Sequence, residues 1–345
     1  ATGDRVPCVY VENQRVAGLD PADPIQVSFS HKVGDEPTGK DHPELLKMHP
    51  SHGHDMTIVN GISRIGYMSG GKAARWVDEE LAPTLTRKAV DFITENKDHP
   101  FFLYFATHDI HVPRVPNARF AGKSGLGPRG DVILQFDWSV SEIVKALNRL
   151  KLADNTVLII TSDNGPVVDD GYKDQARQKL DGHKPAGPLR GGKYSAFEGG
   201  TRIPFLIRWP AEIKPGESRA LVCQIDFLAS FADLTGQKLG EDDAPDSMDV
   251  LPAFLGKSKT GREVLVEQGP VLALRKHSTK YIEPGHGRKF LPATQIETGI
   301  DPNGHLYDLS HDLGERYSAI GTNNTTAAEL HQELNAIRAE PRSRP

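Results

Sequence analysis

Cysteine is scarce in this chain, since only Cys8 and Cys223 occur among 345 residues. Two cysteines cannot form a multi-cysteine metal cluster alone, and their positions leave the question of a disulfide open. No apolar run approaches the roughly 18 residues that cross a bilayer, so we expect no membrane span. The net charge is −5 and no block of five Lys or Arg residues occurs, so nothing points to nucleic-acid binding.

The remaining composition is that of an ordinary globular protein, with 37% hydrophobic and 25% charged residues. This length allows one large domain or two medium ones, and it leaves the oligomeric state undetermined. The first residue is Ala1, and no charged n-region or apolar h-region follows it. We therefore expect a processed protein or a piece of a longer one.

Strands and helices alternate along most of the chain. Helical periodicity covers 76–93 and 132–150, and a shorter helix is predicted over 226–234. Apolar runs at 101–106, 156–161 and 204–209 predict buried strands. This alternation predicts an α/β sandwich.

The pattern changes after about residue 255. Short segments of alternating polarity predict an antiparallel meander, and a helix over 327–339 closes the chain. We therefore predict an α/β domain over 1–255 and a small α+β subdomain over 256–345.

Three polar clusters could carry chemistry, and the first follows the run 101–106. It contains His108, Asp109 and His111. A histidine titrates near neutrality and can protonate a leaving oxygen. Loop histidines that donate to backbone carbonyls are the alternative interpretation.

The second cluster is the pair Asp163 and Asn164, at the carboxyl end of the strand 156–161. Open α/β sheets bind ligands at this edge. A carboxylate and a carboxamide offer hard oxygen ligands, which suit Ca²⁺ or Mg²⁺. An Asp-Asn-Gly sequence is also common in plain surface turns.

The third cluster surrounds Lys193, between the glycine pairs 191–192 and 199–200. Glycines allow close backbone approach to a ligand, and a cation favours an oxyanion. The segment lacks the spacing of a P-loop, and a flexible basic loop is the alternative. Together the three clusters suit attack on a charged tetrahedral ester.

Taken in order, these segments resemble the type I sulfatases of the alkaline-phosphatase-like superfamily. The shared motifs are Thr-Ser-Asp-Asn-Gly at 161–165, His-x-Pro at 111–113, Gly-Gly-Lys with Glu-Gly-Gly-x-Arg-Ile-Pro at 191–204, Gln-Ile-Asp-Phe-Leu with Leu-Thr-Gly at 224–236, and the tail at 306–315. The resemblance implies a sandwich with a central mixed, mainly parallel sheet.

The resemblance also implies roles for individual residues. Asp163 and Asn164 would bind Ca²⁺, with Mg²⁺ as a possible substitute, Lys193 would contact the sulfate, and His111 would lie near the leaving oxygen. Four further residues could line the substrate pocket: His108, Asp109, His183 and Arg190.

The chain departs from the family at its start. It lacks the C/S-x-P-S/T-R motif that yields the formylglycine nucleophile and a strand ending in the Asp-Asp pair. In the family both precede the region that resembles residues 1–30. We therefore expect the chain to be the carboxyl-terminal portion of a sulfatase without the N-terminal strands of the sheet. Alone it should be poorly stable and inactive.

These observations predict a sulfuric ester hydrolase that acts on a sulfated small molecule or glycan. The polar loops at 42–55 and 107–111 favour a sugar, which needs many hydrogen-bond partners. A two-zinc phosphatase or phosphonate hydrolase is one alternative, although Asn164 argues against it, and a non-catalytic glycan-binding domain is another. By resemblance, the parent protein is expected in the periplasm or outside the cell.

Overall fold

The computed structural model describes residues 3–344, which form two compact units. The first comprises residues 3–153 and 168–183, and the second comprises 154–167 and 184–344. None of the helices in residues 3–344 combines the length and apolar character that crossing a bilayer requires.

The first unit begins with short strands joined by many turns. They form three antiparallel pairs, β1 with β2, β3 with β6 and β4 with β5. Their bounds are β1 (Val11–Glu12), β2 (Arg15–Val16), β3 (Gln26–Ser28), β4 (Ile58–Val59), β5 (Ile62–Ser63) and β6 (Tyr67–Ser69). The many Gly, Pro and Asp residues of this region keep the strands short because they favour turns.

Two long helices follow, α1 (Leu81–Glu95) and α2 (Gly127–Arg149). The predicted helices at 76–93 and 132–150 are thus confirmed, with shifted starts. A 3-10 turn over Asp78–Glu80 precedes α1, and Pro128 stands in the first turn of α2. Helices α1 and α2 pack together, and the buried hydroxyls of Thr86 and Ser139 hydrogen bond across them at 3.0 Å.

The strand predicted at 101–106 is not found. This stretch has no assigned strand, and Phe102 and Tyr104 are 74% and 81% exposed. A continuous apolar run indicates burial, but neighbouring strands decide whether it becomes part of a sheet. That prediction is therefore wrong for the described residues.

The second unit begins with the antiparallel pair β7 (Leu158–Thr161) and β8 (Phe205–Arg208), in which Thr161 lies opposite Phe205. Both strands were predicted. Pairings between named strands in residues 3–344 are all antiparallel, and the parallel contacts there are isolated bridges.

Three short helices accompany this pair: α3 (Glu198–Thr201), α4 (Phe227–Leu234) and α5 (Leu251–Phe254). The rings of Phe205, Phe227 and Phe254 pack together with centroids 5.6–6.1 Å apart. These ring contacts hold α4 and α5 against β8, the strand that follows α3. The helix predicted at 226–234 is confirmed as α4.

The predicted meander and closing helix are confirmed. Four antiparallel strands form a sheet with the order β14-β11-β10-β9. Between β11 and β14 the chain forms a separate hairpin of β12 and β13, and α6 follows β14 at the end of the unit. Bounds are β9 (Val264–Gln268), β10 (Leu272–Lys276), β11 (Thr279–Ile282), β12 (Phe290–Leu291), β13 (Ile296–Glu297), β14 (His305–Asp308) and α6 (Asn324–Ala339).

Helix α6 covers one face of this sheet because Leu330 and Leu334 bury against Leu274, Tyr281 and Leu306. The sheet lies in the same unit as β7 and β8. The proposed boundary between 1–255 and 256–345 stays a prediction.

Candidate functional site

The turn after β7 presents the two predicted metal ligands. Asp163 is exposed, its carboxylate is 3.5 Å from the hydroxyl of Ser162, and that hydroxyl also donates to the Asn164 carbonyl at 3.1 Å. Gln224 holds the end of β7 by donating from Nε2 to the carbonyl of Ser162. Strand β7 and Gln224 thus place a carboxylate and a carboxamide side by side.

Gly165 allows this turn to pack against α3. Its amide donates to the carbonyl of Gly200 at 2.9 Å, and a Cβ at Gly165 would lie 1.7 Å from the carbonyl oxygen of Gly199. No other residue fits here without movement of one of the two segments. The backbone of Gly199 and Gly200 therefore packs directly against the turn that contains Asp163 and Asn164.

The loop that carries Lys193 reaches the same turn. The Lys193 amide donates to the carbonyl of Pro166 at 3.0 Å. Its ammonium group lies 5.1 Å from the ring centroid of Tyr194, a cation–π arrangement. The Lys193 loop thus lies against the segment that directly follows Asp163 and Asn164. The shared site at one sheet edge stays a prediction.

Arg190, expected in the substrate pocket, is engaged by protein groups. Its guanidinium forms a bidentate pair with Glu297 at 2.6 and 2.9 Å, donates to the Glu315 carbonyl at 2.7 Å and stacks on Phe197 at 4.1 Å. These contacts anchor the start of the Lys193 loop to the β12–β13 hairpin and to the loop after β14. A substrate role for Arg190 stays a prediction.

A buried ion cluster, which we define as Glu198, Glu267, Lys280 and Glu315, was not predicted from the sequence. Lys280 is fully buried, and its Nζ lies 2.9 Å from Glu198, 2.8 Å from Glu267 and 3.9 Å from Glu315. The amide of Glu198 donates to the Glu315 carboxylate at 2.6 Å. Because Glu198 begins α3, this cluster fixes the helix on which the Asp-Asn turn rests.

His108, in the first unit, is a neutral and well-anchored imidazole. Its Nδ1 accepts from the Gly3 amide and its Nε2 donates to the Pro113 carbonyl, both at 3.2 Å. Burial lowers the pKa of His108 to about 4. These contacts match the alternative of a histidine satisfied by the backbone and make His108 a poor proton donor near neutral pH.

His111, three residues later, is oriented differently. Its Nδ1 donates to the Val112 carbonyl at 2.8 Å, and its Nε2 lies 3.8 Å from the carboxylate of Asp170. Asp170 was not predicted from the sequence, although an acidic pair, Asp169 and Asp170, follows the Asp163–Asn164 turn within a few residues. Since Nδ1 donates to the backbone, Nε2 is the nitrogen that can exchange a proton with a ligand.

The other two predicted pocket residues of this unit have protein partners. The Asp109 carboxylate accepts from Gln135 at 2.9 Å, and burial raises the pKa of Asp109 to about 6. His183 is exposed, and its Nδ1 accepts from the guanidinium of Arg129 at 3.1 Å. Asp109 thus lies in the same loop as His108 and His111, whereas His183 pairs with Arg129.

The polar loop at 42–55, predicted to suit a sugar, contains one histidine that the structure buries, His54. This side chain is buried, its Nδ1 donates to the His52 carbonyl at 2.7 Å, and its ring lies 4.7 Å from that of Tyr172. A polar loop sequence did not reveal this burial, because Tyr172 comes from a distant part of the chain.

Asp163 and Asn164 have the donor chemistry of a hard-cation site, but they are only part of one. Ca²⁺ takes about six to eight oxygen ligands, and Mg²⁺ about six. Within residues 3–344, no three or more His, Cys, Asp or Glu side chains are grouped as a metal site. The residues present therefore fit as two ligands of a larger set.

Gly165→Ala is expected to lower the free energy of unfolding by about 1–3 kcal/mol, the usual cost of forcing atoms into a packed region. The new methyl group would collide with the Gly199 carbonyl. Urea unfolding of the full-length protein measures the loss. Gly216→Ala is the matched control because a Cβ at Gly216 would have nothing within 4 Å, so it should change little. Equal effects of the two variants would contradict the packing we describe.

Comparison with known proteins agrees with this arrangement. The family model "Sulfatase" matches residues 36–237. The chain is 55% identical over 340 residues to an N-acetylgalactosamine-6-O-sulfatase of Bacteroides thetaiotaomicron, covering 98% of this chain and 66% of that protein. Human arylsulfatase A is 32% identical over 264 residues, covering 70% of this chain and 49% of that protein.

A solved structure gives the same fold. It comes from work on the metabolism of multiple glycosaminoglycans by Bacteroides thetaiotaomicron, and it matches with a TM-score of 0.97 and 55% identity over 99% of this chain and 71% of that chain. The predicted α/β, alkaline-phosphatase-like fold is therefore confirmed. The chain spans 66% and 49% of the lengths of the two curated relatives.

Proposed function

Because this chain belongs to the sulfatase family, we propose that the protein containing it hydrolyses sulfate esters of carbohydrate. The observation that carries the proposal is the 3.0 Å hydrogen bond from the Lys193 amide to the Pro166 carbonyl. It puts a cationic loop beside a turn with two oxygen donors, Asp163 and Asn164. A cation next to hard oxygen ligands suits an anionic, tetrahedral substrate group.

The substrate we propose is a 6-O-sulfated N-acetylgalactosamine residue of a sulfated glycan. The relative that is 55% identical over 98% of this chain is named N-acetylgalactosamine-6-O-sulfatase, which supports this choice.

Ca²⁺ is the cation we propose for Asp163 and Asn164, and Mg²⁺ is the alternative with the same preference for oxygen. When bound, it would polarise the non-bridging oxygens of the sulfate. The other ligands and the formylglycine nucleophile would come from outside these 345 residues, because the sequence contains no C/S-x-P-S/T-R motif.

Two side chains of this chain have separate tasks in the proposed reaction. The Lys193 ammonium binds the sulfate and offsets the negative charge that develops on its oxygens in the transition state. His111 donates a proton to the departing sugar oxygen, because an unprotonated alkoxide leaves poorly. His108 does not suit that task, since the Pro113 carbonyl accepts its Nε2 proton.

The test uses the full-length protein with formylglycine in place. We expect faster sulfate release from N-acetylgalactosamine 6-sulfate than from the 4-sulfate or the corresponding phosphate, with loss on chelation and recovery with Ca²⁺. The 345-residue chain alone should show no turnover, because it carries no formylglycine motif. Preference for the phosphate with recovery by zinc, or binding without any turnover, would contradict the proposal.

A further inference from the structure

We propose that Arg129, with Lys179 beside it, forms a subsite for a second anionic group of the glycan, next to the loop that carries His111. The ligand is a carboxylate or sulfate group on the substrate, outside the sulfate that is removed. This inference rests on the proposed function, because it assigns the recognition of the rest of the same substrate.

Arg129 is a buried arginine with an incomplete set of partners. It is 4% exposed, and its Nη2 donates to Nδ1 of His183 at 3.1 Å. Its Nη1 is buried and has no hydrogen-bond partner in the part of the chain that the structure describes. Buried guanidinium groups normally have their donors satisfied, so an unsatisfied one indicates a missing acceptor.

The charge of Arg129 is also left without a counterion in residues 3–344. The neighbouring carboxylate, Asp174, is occupied by Arg114 at 2.7 Å and by the Ala176 amide at 3.0 Å. Burial and the charge of Arg114 both lower the pKa of Arg129, with a smaller opposing effect of Asp174. The His183 ring offers Arg129 a neutral lone pair, so an anion would be the better partner.

The position of Arg129 favours an anionic ligand as well. It lies in the first turn of α2, where the helix dipole attracts negative charge. The exposed Lys179 packs its stem on this turn, since a Cβ on Gly127 would be 2.9 Å from the Lys179 Cδ. Two cationic groups therefore surround one helix N-terminus.

Arg114 connects the proposed Arg129 subsite to the loop that carries His111, the proposed general acid. The Arg114 Nε donates to the Ile110 carbonyl at 3.3 Å, directly before His111 in the chain. The exposed His183 is the side chain that bonds to the Arg129 guanidinium, so a ligand gains access when this imidazole turns aside. The exchange replaces a neutral acceptor with a charged one, which makes a stronger hydrogen bond.

The experiment compares substrates of the full-length enzyme: the sulfated monosaccharide, a disaccharide with an added uronate, and a disaccharide with a second sulfate. Arg129→Gln should raise KM about 10- to 100-fold for a charged disaccharide, with kcat and monosaccharide kinetics unchanged. The disaccharide that responds identifies the ligand as carboxylate or sulfate. Arg129→Lys should give an intermediate KM, because it keeps the charge and loses the planar fork.

Arg149→Gln is the matched control, since Arg149 is an exposed arginine at the other end of the same helix. It should leave KM unchanged for all three substrates. An unchanged KM in Arg129→Gln, or an equal loss on monosaccharide and disaccharides, would overturn the subsite.

If the proposed function itself is wrong, the wild-type protein will hydrolyse none of the sulfates, which distinguishes that outcome from failure of the subsite alone. Calorimetric titration with the charged disaccharides would still test the subsite in that case. Binding that weakens in Arg129→Gln but not in Arg149→Gln supports it, and equal binding by all variants overturns it.

Discussion

His111→Ala in the full-length protein is expected to lower kcat for a sugar sulfate by about 10²- to 10⁴-fold, the usual contribution of a general acid. The imidazole is held for this task because Nδ1 donates to the Val112 carbonyl at 2.8 Å, which leaves proton exchange with a ligand to Nε2. Steady-state sulfate release measures the loss. A sugar alkoxide is a strongly basic leaving group that departs slowly without a proton, so a sugar sulfate should show the largest effect.

The dependence on the leaving group identifies the role of His111. Nitrophenyl sulfate releases a stabilised phenolate that needs no proton, so His111→Ala should lose about tenfold or less on this substrate. Lys193→Ala should lose activity to a similar extent on both substrates, because the ammonium acts on the sulfate group that they share. If His111→Ala lost the same activity on both substrates, His111 would not be the general acid and would instead act on the sulfate group.

The control for this experiment is His99→Ala. His99 is an exposed histidine of the same unit, just after α1. Its replacement should leave both activities within experimental error, so that a loss in His111→Ala cannot be ascribed to the removal of any surface imidazole.

Lys280→Met is expected to lower the free energy of unfolding by about 3–5 kcal/mol, the usual cost of removing one partner of a buried ion pair. Lys280 is fully buried between Glu198 and Glu267 at 2.9 and 2.8 Å. Although burial opposes it, the nearby carboxylates raise the pKa of Lys280, and burial raises the pKa of Glu315 to about 7. Without the ammonium, the buried carboxylates repel one another.

Urea unfolding of the full-length protein measures this effect, and Lys276→Met is its control. Lys276 lies on the adjacent strand and pairs with Glu333 at 3.0 Å, but its side chain is 34% exposed. Solvent screens such a pair, so the control should cost about 1 kcal/mol or less. The double variant Lys280→Met with Glu267→Gln should recover part of the stability. Equal losses in Lys276→Met and Lys280→Met would contradict a special role for the buried ion cluster.

The regular elements were largely predictable because their signals are local. Helix α2 and strands β9 to β11 follow from the spacing of apolar residues, which depends only on the geometry of each element. The run 101–106 shows the limit of that signal. Its residues have the composition of a buried strand, but Phe102 and Tyr104 are exposed, since strand pairing depends on neighbours rather than on composition.

The candidate site likewise contains residues that the sequence could identify and contacts that it could not. Asp163, Asn164 and Lys193 could be named from their motifs, because the chemistry needs those residue types and the glycines beside them. The different surroundings of His108 and His111 could not be predicted, although only three positions separate them. Backbone contacts hold both nitrogens of His108, whereas Nε2 of His111 lies 3.8 Å from Asp170.

By itself the sequence determined the family, and it located the Asp163–Asn164 turn and the Lys193 loop, since each is a short run of residues whose types suffice to identify it. Only the tertiary structure decided what holds these pieces in place and that Arg129 has no counterion within residues 3–344. Glu198 meets its partners Lys280 and Glu315 across 82 and 117 positions of the chain, and Arg129 meets His183 across 54. Burial and pairing at such separations arise from the packing of whole segments, which no local pattern encodes.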